Sequence, residues 1–269
     1  MTCIPTELMQ ASIQVSREPS VQYLLRVGDT CLILAQRLGE WCGHAPVLEE
    51  DIALTNMALD LVGQARAVLT RAGQLEAELG GTAHDEDEHA FLRDERDFLN
   101  LTLAELPRGD FALTLLRNFA LATFLGLLWQ RLEGSSDEEV AAIAGKAVKE
   151  ARYHRQHAGD WVLRLGGGTD ESHRRLQAAV DALWPYVPEM FEADAVDERA
   201  LEAGLGPRWA DLQADWIAAV APVLHEAGVA VPAARAFRST GKKGVHSEHM
   251  GYILAEMQHL QRTHPGGVW

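Results

Sequence analysis

Residues 41–66 read W-C-G-H-A-P-V-L-E-E-D-I-A-L-T-N-M-A-L-D-L-V-G-Q-A-R, and the fold is decided here. Pro46 fits the first position of a helix. Glu49, Glu50 and Asp51 follow in its first turn, where free backbone N–H groups and the positive end of the helix dipole favour negative charge. Leu54, Ala58, Leu61, Ala65 and Val68 recur at spacings of four and three, the period of a helix with one buried face. Asn56, Asp60 and Gly63 form a stripe beside that face, so the Asp60 carboxylate is expected at the edge of a core.

Upstream, Val21, Leu24, Leu25, Cys31, Leu32, Ala35 and Leu38 predict a helix over 21–42 that Gly43 stops. The short Gly43-His44-Ala45 link returns the chain beside itself, so these two helices form an antiparallel pair. Downstream, the second helix is expected to end near Gly73 or Gly80. The charged run from Asp85 to Asn100 predicts an outer, solvated helix inside a long connection. Asp110 caps a third bundle helix, and Ser136-Asp137-Glu138-Glu139 reads as a capping box for a fourth. The inward positions of that fourth helix are Val140, Ile143, Ala147, Ala151, His154, Ala158 and Trp161. Two antiparallel pairs joined by one long crossover make an all-α, ferritin-like four-helix bundle. Residues 1–20 are expected as a loose arm, 21–165 as the core bundle, and 170–269 as accessory helices of the same single domain. Among these are helices over 170–184, 209–227 with Pro222 kinking or ending it, and 246–263.

The 269 residues are 47% hydrophobic, enough for a sizeable core, and 24 basic against 39 acidic residues give a net charge of -15. Such a surface repels nucleic acid and anionic membrane, so an acidic cytoplasmic protein is expected. The apolar run from Phe111 to Trp129 is long enough to span a bilayer, but Arg117 and Asn118 near its middle favour a buried bundle helix. Cys3, Cys31 and Cys42 form no Cys-x-x-Cys pair, and Cys31 and Cys42 read as small core residues.

A ferritin-like di-metal bundle takes a Glu from each of two helices and Glu-x-x-His from each of the other two. Here the second helix offers Asp60-Leu61-Val62-Gly63 and the fourth Glu150-Ala151-Arg152-Tyr153; each keeps the acid and lacks the imidazole. The third helix carries no Asp or Glu from Phe111 to Arg131. No di-iron centre, no catalytic residue and no bound cofactor is therefore expected in this chain. Glu150, His154 and His157 share one face and read either as a metal face or as histidines satisfying a buried carboxylate. A single metal held by Asp60, Glu150 and His154 is the alternative. Glu86 to His89 and Glu256 to His259 match Glu-x-x-His by chance spacing. His246-Ser247-Glu248-His249 reads as a helix start, and Gly241-Lys242-Lys243-Gly244 as a solvated basic turn that could alternatively meet a phosphate-bearing ligand at a helix N-terminus.

Four stretches carry a resemblance: Y-L-L-R-V-G-D from Tyr23, W-C-G-H-A-P-V-L-E-E-D-I-A-L-T-N from Trp41, W-V-L-R-L-G from Trp161, and H-S-E-H-M-G-Y-I-L-A-E-M-Q from His246. Together they resemble the non-catalytic C subunits of ring-1,2-phenylacetyl-CoA epoxidases, bacterial multicomponent monooxygenases of phenylacetate catabolism. The resemblance implies a structural subunit paired with a homologous catalytic subunit that holds the di-iron site, with a separate reductase drawing electrons from NADPH.

Overall fold

The computed structural model describes residues 12–233 and 237–267. Cys3 and residues 1–11 of the expected arm lie outside the described residues. Residues 12–18 are tied down rather than loose: Ile13 N–H donates to the Leu92 carbonyl and Ser16 N–H to the Glu76 carboxylate.

Helix α1, Pro19–Gly39, and helix α2, Leu48–Glu78, form the first antiparallel pair. Gly43, at φ 78°, turns the chain between them. Pro46 stands ahead of α2 rather than inside it, because the backbone is still extended at the N-cap, Val47. Leu54, Ala58, Leu61, Ala65 and Val68 are all buried, as their spacing required. Cys31 is buried, whereas Cys42 falls beyond the end of α1, in the turn, and is exposed.

The crossover over residues 79–110 is not an outer solvated helix. It breaks into α3, Glu86–Phe91, a 3-10 turn at Glu95–Asp97, and α4, Thr102–Glu105. His89, Arg93, Phe98, Leu99 and Asn100 are buried in it. The physical reason is the Arg93 guanidinium, which grips Asp29 of α1 in a fully buried ion pair and draws the charged stretch inward.

Helix α5, Phe111–Leu132, starts where Asp110 accepts from Leu113 N–H at 2.9 Å. By length and composition it could cross a membrane, with mean hydropathy 1.7, yet 78% of that window is buried inside the protein against α6 and the C-terminal helices. Its Arg117 donates to the Leu106 and Pro107 carbonyls at the end of the crossover. Helix α6, Glu138–Gly166, completes the second antiparallel pair. Asp137, not Ser136, caps it, because the Ser136 hydroxyl is spent on the Ala203 carbonyl.

Then come α7, Asp170–Leu183, a 3-10 segment at Trp184–Phe191, α8, Ala195–Glu202, and α9, Gln213–Glu226. Pro222 neither ends nor precedes α9 but sits inside it; Pro222 and Ala218 both lie on the exposed face, where water can take the carbonyl that proline leaves unbonded. Helix α10, Met250–Thr263, begins later than the expected 246. The described residues contain no strand, only an isolated bridge between Thr240 and Val245.

Candidate functional site

In a metal-binding bundle of this topology the ligands converge at mid-height, where α2 faces α6. One turn of α2, from Asp60 to Gln64, runs against one turn of α6, from His154 back to Glu150. His154 Nε2 lies 3.0 Å from Asp60 Oδ2. Gln64 donates to Glu150 at 2.9 Å and accepts from the Cys31 thiol of α1 at 3.7 Å. Lys146 approaches the other oxygen of Glu150 at 3.5 Å. Toward the start of α2, His157 Nε2 lies 2.9 Å from Glu50 Oε2. Burial pushes the His154 imidazole below its usual pKa, with Asp60 opposing the shift.

Of the alternative ligand set, Asp60 and His154 are brought together, while Glu150 is engaged by Gln64 and Lys146 instead. Helix α5 faces this region with Asn118, whose amide meets the Met57 sulfur at 3.2 Å. The donor set at mid-height is thus Asp60, Glu150 and His154, each turned to a protein partner. A di-iron centre of this fold takes four carboxylates and two imidazoles, and these residues do not fit one. The depression between α2 and α6, lined by Gly63, Gln64, Ile143, Lys146 and Glu150 among others, has a volume of about 280 Å³.

By sequence spacing, His89 pairs with Glu86 only by chance, and half of that holds. Glu86 turns to Arg66 and Thr70. His89, however, is fully buried and meets Glu76 of α2, together with His84. His84 Nδ1 lies 2.9 Å and His89 Nε2 3.4 Å from Glu76 Oε2, while Ser16 N–H holds Glu76 Oε1 at 2.8 Å. Burial alone would raise the Glu76 carboxyl; the two imidazoles and the Ser16 N–H outweigh it and hold the pKa at about 2. Gly73 makes the assembly possible, since a Cβ there would meet the His84 carbonyl oxygen at 1.7 Å. No local motif marks this cluster. The available signal was the pair of glycines at 80 and 81, which turn the chain back onto the helix it has just left.

The basic turn is also other than expected. Lys243 is exposed, but Lys242 is buried, with its ammonium on the Glu192 carbonyl and 3.5 Å from Asp197. Burial lowers its pKa against the pull of Asp197. Arg26 of α1 joins the same network, donating to both oxygens of Asp194 at 2.9 and 2.6 Å. Lys242 therefore fastens the C-terminal region to α1 and is not available to a phosphate. His246 is likewise structural, set between the Glu105 carboxylate at 2.7 Å and the Phe98 carbonyl at 2.8 Å. His259 belongs to none of these clusters.

Comparison with known proteins agrees with the resemblance read from the motifs. The chain is 50% identical over 247 residues, 92% of its own length and 98% of the relative's, to the C subunit of the 1,2-phenylacetyl-CoA epoxidase of Escherichia coli (strain K12). The model of the family described as "Phenylacetic acid catabolic protein" matches residues 1–269. With an all-helical bundle of the expected topology and a match along its whole length, this chain belongs to the phenylacetic acid catabolic protein family.

Proposed function

We propose that this chain is the structural, non-catalytic subunit of a phenylacetyl-CoA epoxidase in the cytoplasm, paired with a homologous subunit whose bundle holds the di-iron centre. Electrons reach that centre from NADPH through a separate reductase. The observation that carries this reading is the mid-bundle donor set. Counted from Asp60 and Glu150, Gly63 and Tyr153 take the sequence places of the two imidazoles, and both are exposed; α5 brings no carboxylate, and the acids that remain are engaged by Gln64, Lys146 and His154.

The outer face of the same helices supports pairing. Leu48, Ile52 and Leu59 of α2 are 72%, 53% and 63% exposed, and Tyr153 of α6 is 51% exposed. Offsets of four and seven keep the three α2 residues in line, so they form an apolar stripe of the kind helix interfaces bury. Size-exclusion chromatography of this chain mixed with its di-iron homologue tests the reading. A stable hetero-oligomer is expected, and Leu48→Glu with Leu59→Glu should weaken it at least about tenfold. Failure of the unaltered chains to associate contradicts the pairing, and full association of the double variant contradicts the surface.

A further inference from the structure

Among the described residues, Glu76, His84 and His89 form a group whose donor atoms all lie within 4.8 Å of one another, with one carboxylate and two imidazoles. All three side chains are nearly or fully inaccessible, at 2%, 8% and 0% exposure. A hydrogen-bond network explains His84, which meets Glu76 at 2.9 Å, but not His89. Neither ring nitrogen of His89 makes a hydrogen bond of acceptable geometry, although the ring is fully buried. A buried polar group without a partner is costly, and both nitrogens of this ring are in that position; a cation at Nε2 would supply the partner of one of them.

A cation shared by the three donors would supply the partner that His89 Nε2 lacks. Bonds of about 2.0–2.1 Å in a tetrahedral zinc site put ligand atoms about 3.3 Å apart. Here Glu76 Oε2 stands 2.9 Å from His84 Nδ1 and 3.4 Å from His89 Nε2. Imidazoles and a carboxylate are donors that zinc takes, and zinc outcompetes iron(II) for nitrogen and oxygen donors. Two of the ligands, Glu76 and His84, are also supported from outside, as ligating groups generally are. Ser16 N–H holds the other Glu76 oxygen, and Gly73 lets the His84 backbone lie directly on α2.

We propose that Glu76, His84 and His89 form a mononuclear zinc site that staples the start of the crossover, and with it the segment before α1, to the C-terminal end of α2. The site lies away from the α2–α6 face and does not depend on the function proposed above. Its role is structural. It closes the loop between residues 76 and 89, so that binding free energy becomes folding free energy.

The full chain, without an affinity tag, is stripped with a chelator and titrated with Zn²⁺ against a chromophoric competitor. One zinc per chain is expected, with Tm rising as zinc is added. Substituting even an outer-shell partner typically costs about 10–100-fold in metal affinity, so His84→Ala, which removes a ligand, should lose more than about 100-fold. His84 is at the rim of the cluster, so this variant tests binding with the fold kept, which far-ultraviolet circular dichroism checks. His89→Gln, which preserves ring volume approximately, gives a second reading, and Co²⁺ in place of zinc should show the visible absorption of a tetrahedral nitrogen and oxygen site in the parent chain only. Absence of saturable zinc binding in the parent chain, or binding unchanged in both variants, overturns the proposal.

Discussion

Between α2 and α6 the acids are partly open to solvent, with Asp60 38% and Glu150 18% exposed, and each has one or two partners. On the crossover side, Asp29, Glu76 and Glu105 are 0%, 2% and 0% exposed; Asp29 takes the Arg93 guanidinium and Leu99 N–H, Glu76 faces Ser16, His84 and His89, and Glu105 faces Asn100, His246 and Ser247. The two regions use the same residue types for different ends. At mid-bundle the polar groups occupy a place where a catalytic relative would need ligands, and little of the fold hangs on them. At the crossover they replace the short loop that an up-down bundle would have, binding α1, α2, the crossover and the C-terminal segment into one body.

That contrast can be broken first at Asp29. Removing one member of a buried ion pair costs about 3–5 kcal/mol, and Asp29 also accepts from Leu99 N–H at 2.8 Å. Asp29→Ala should lower the urea-unfolding free energy by about that amount; a loss below about 1 kcal/mol would show that the crossover does not depend on it.

His246 sharpens the comparison through pH. Both of its ring nitrogens face acceptors, so both donate and the imidazole is charged. Burial works against that charge, but Glu105 and the Phe98 carbonyl outweigh it and raise the pKa. The contribution is fully present below the unfolded value of about 6.5 and is lost as pH rises through the higher folded value. Denaturation midpoints measured across neutral pH should fall for the parent chain and fall less for His246→Gln. Parallel curves would remove His246 as the source.

Glu150→Ala, on the open side, should cost only about 1 kcal/mol by the same urea assay, the value of one exchanged hydrogen bond. Its sequence reading as a buried carboxylate satisfied by histidines would make the loss larger; Glu150 is 18% exposed and its partner Lys146 78%, which lowers it. A cost equal to that of Asp29→Ala would erase the distinction between the regions. The smallest effect is expected at Lys243, exposed and outside these networks. Lys243→Ala should leave stability within about 0.5 kcal/mol and leave the KM of the assembled enzyme for its CoA substrate unchanged. A raised KM would return the basic turn to the substrate.

Helical periodicity made the bundle legible: α1, α2, α5 and α6 begin and end within a few residues of where caps and spacing put them. The mid-bundle face was legible for the same reason, since Asp60, Glu150 and His154 project from regular helices and their offsets fix their side. The crossover was not. Its charges read as solvated because no local pattern says that Arg93 will meet Asp29, 64 positions away, or that Glu105 will meet His246 across 141. Lys242 reads as free for the same reason, its anionic partners lying on another element. His89 looks incidental in the sequence because the acid it meets is Glu76, 13 positions away and across a turn, rather than Glu86 beside it.

The central claim is that this chain supports a di-iron relative without holding the irons. Iron and activity measured together, on the separate chains and on the reconstituted complex, test it most directly. The account predicts no stoichiometric iron and no epoxidation from this chain alone, iron confined to the partner, and turnover of phenylacetyl-CoA only when both are present with the reductase and NADPH. Two irons bound to this chain, or full activity of the partner without it, would contradict the account.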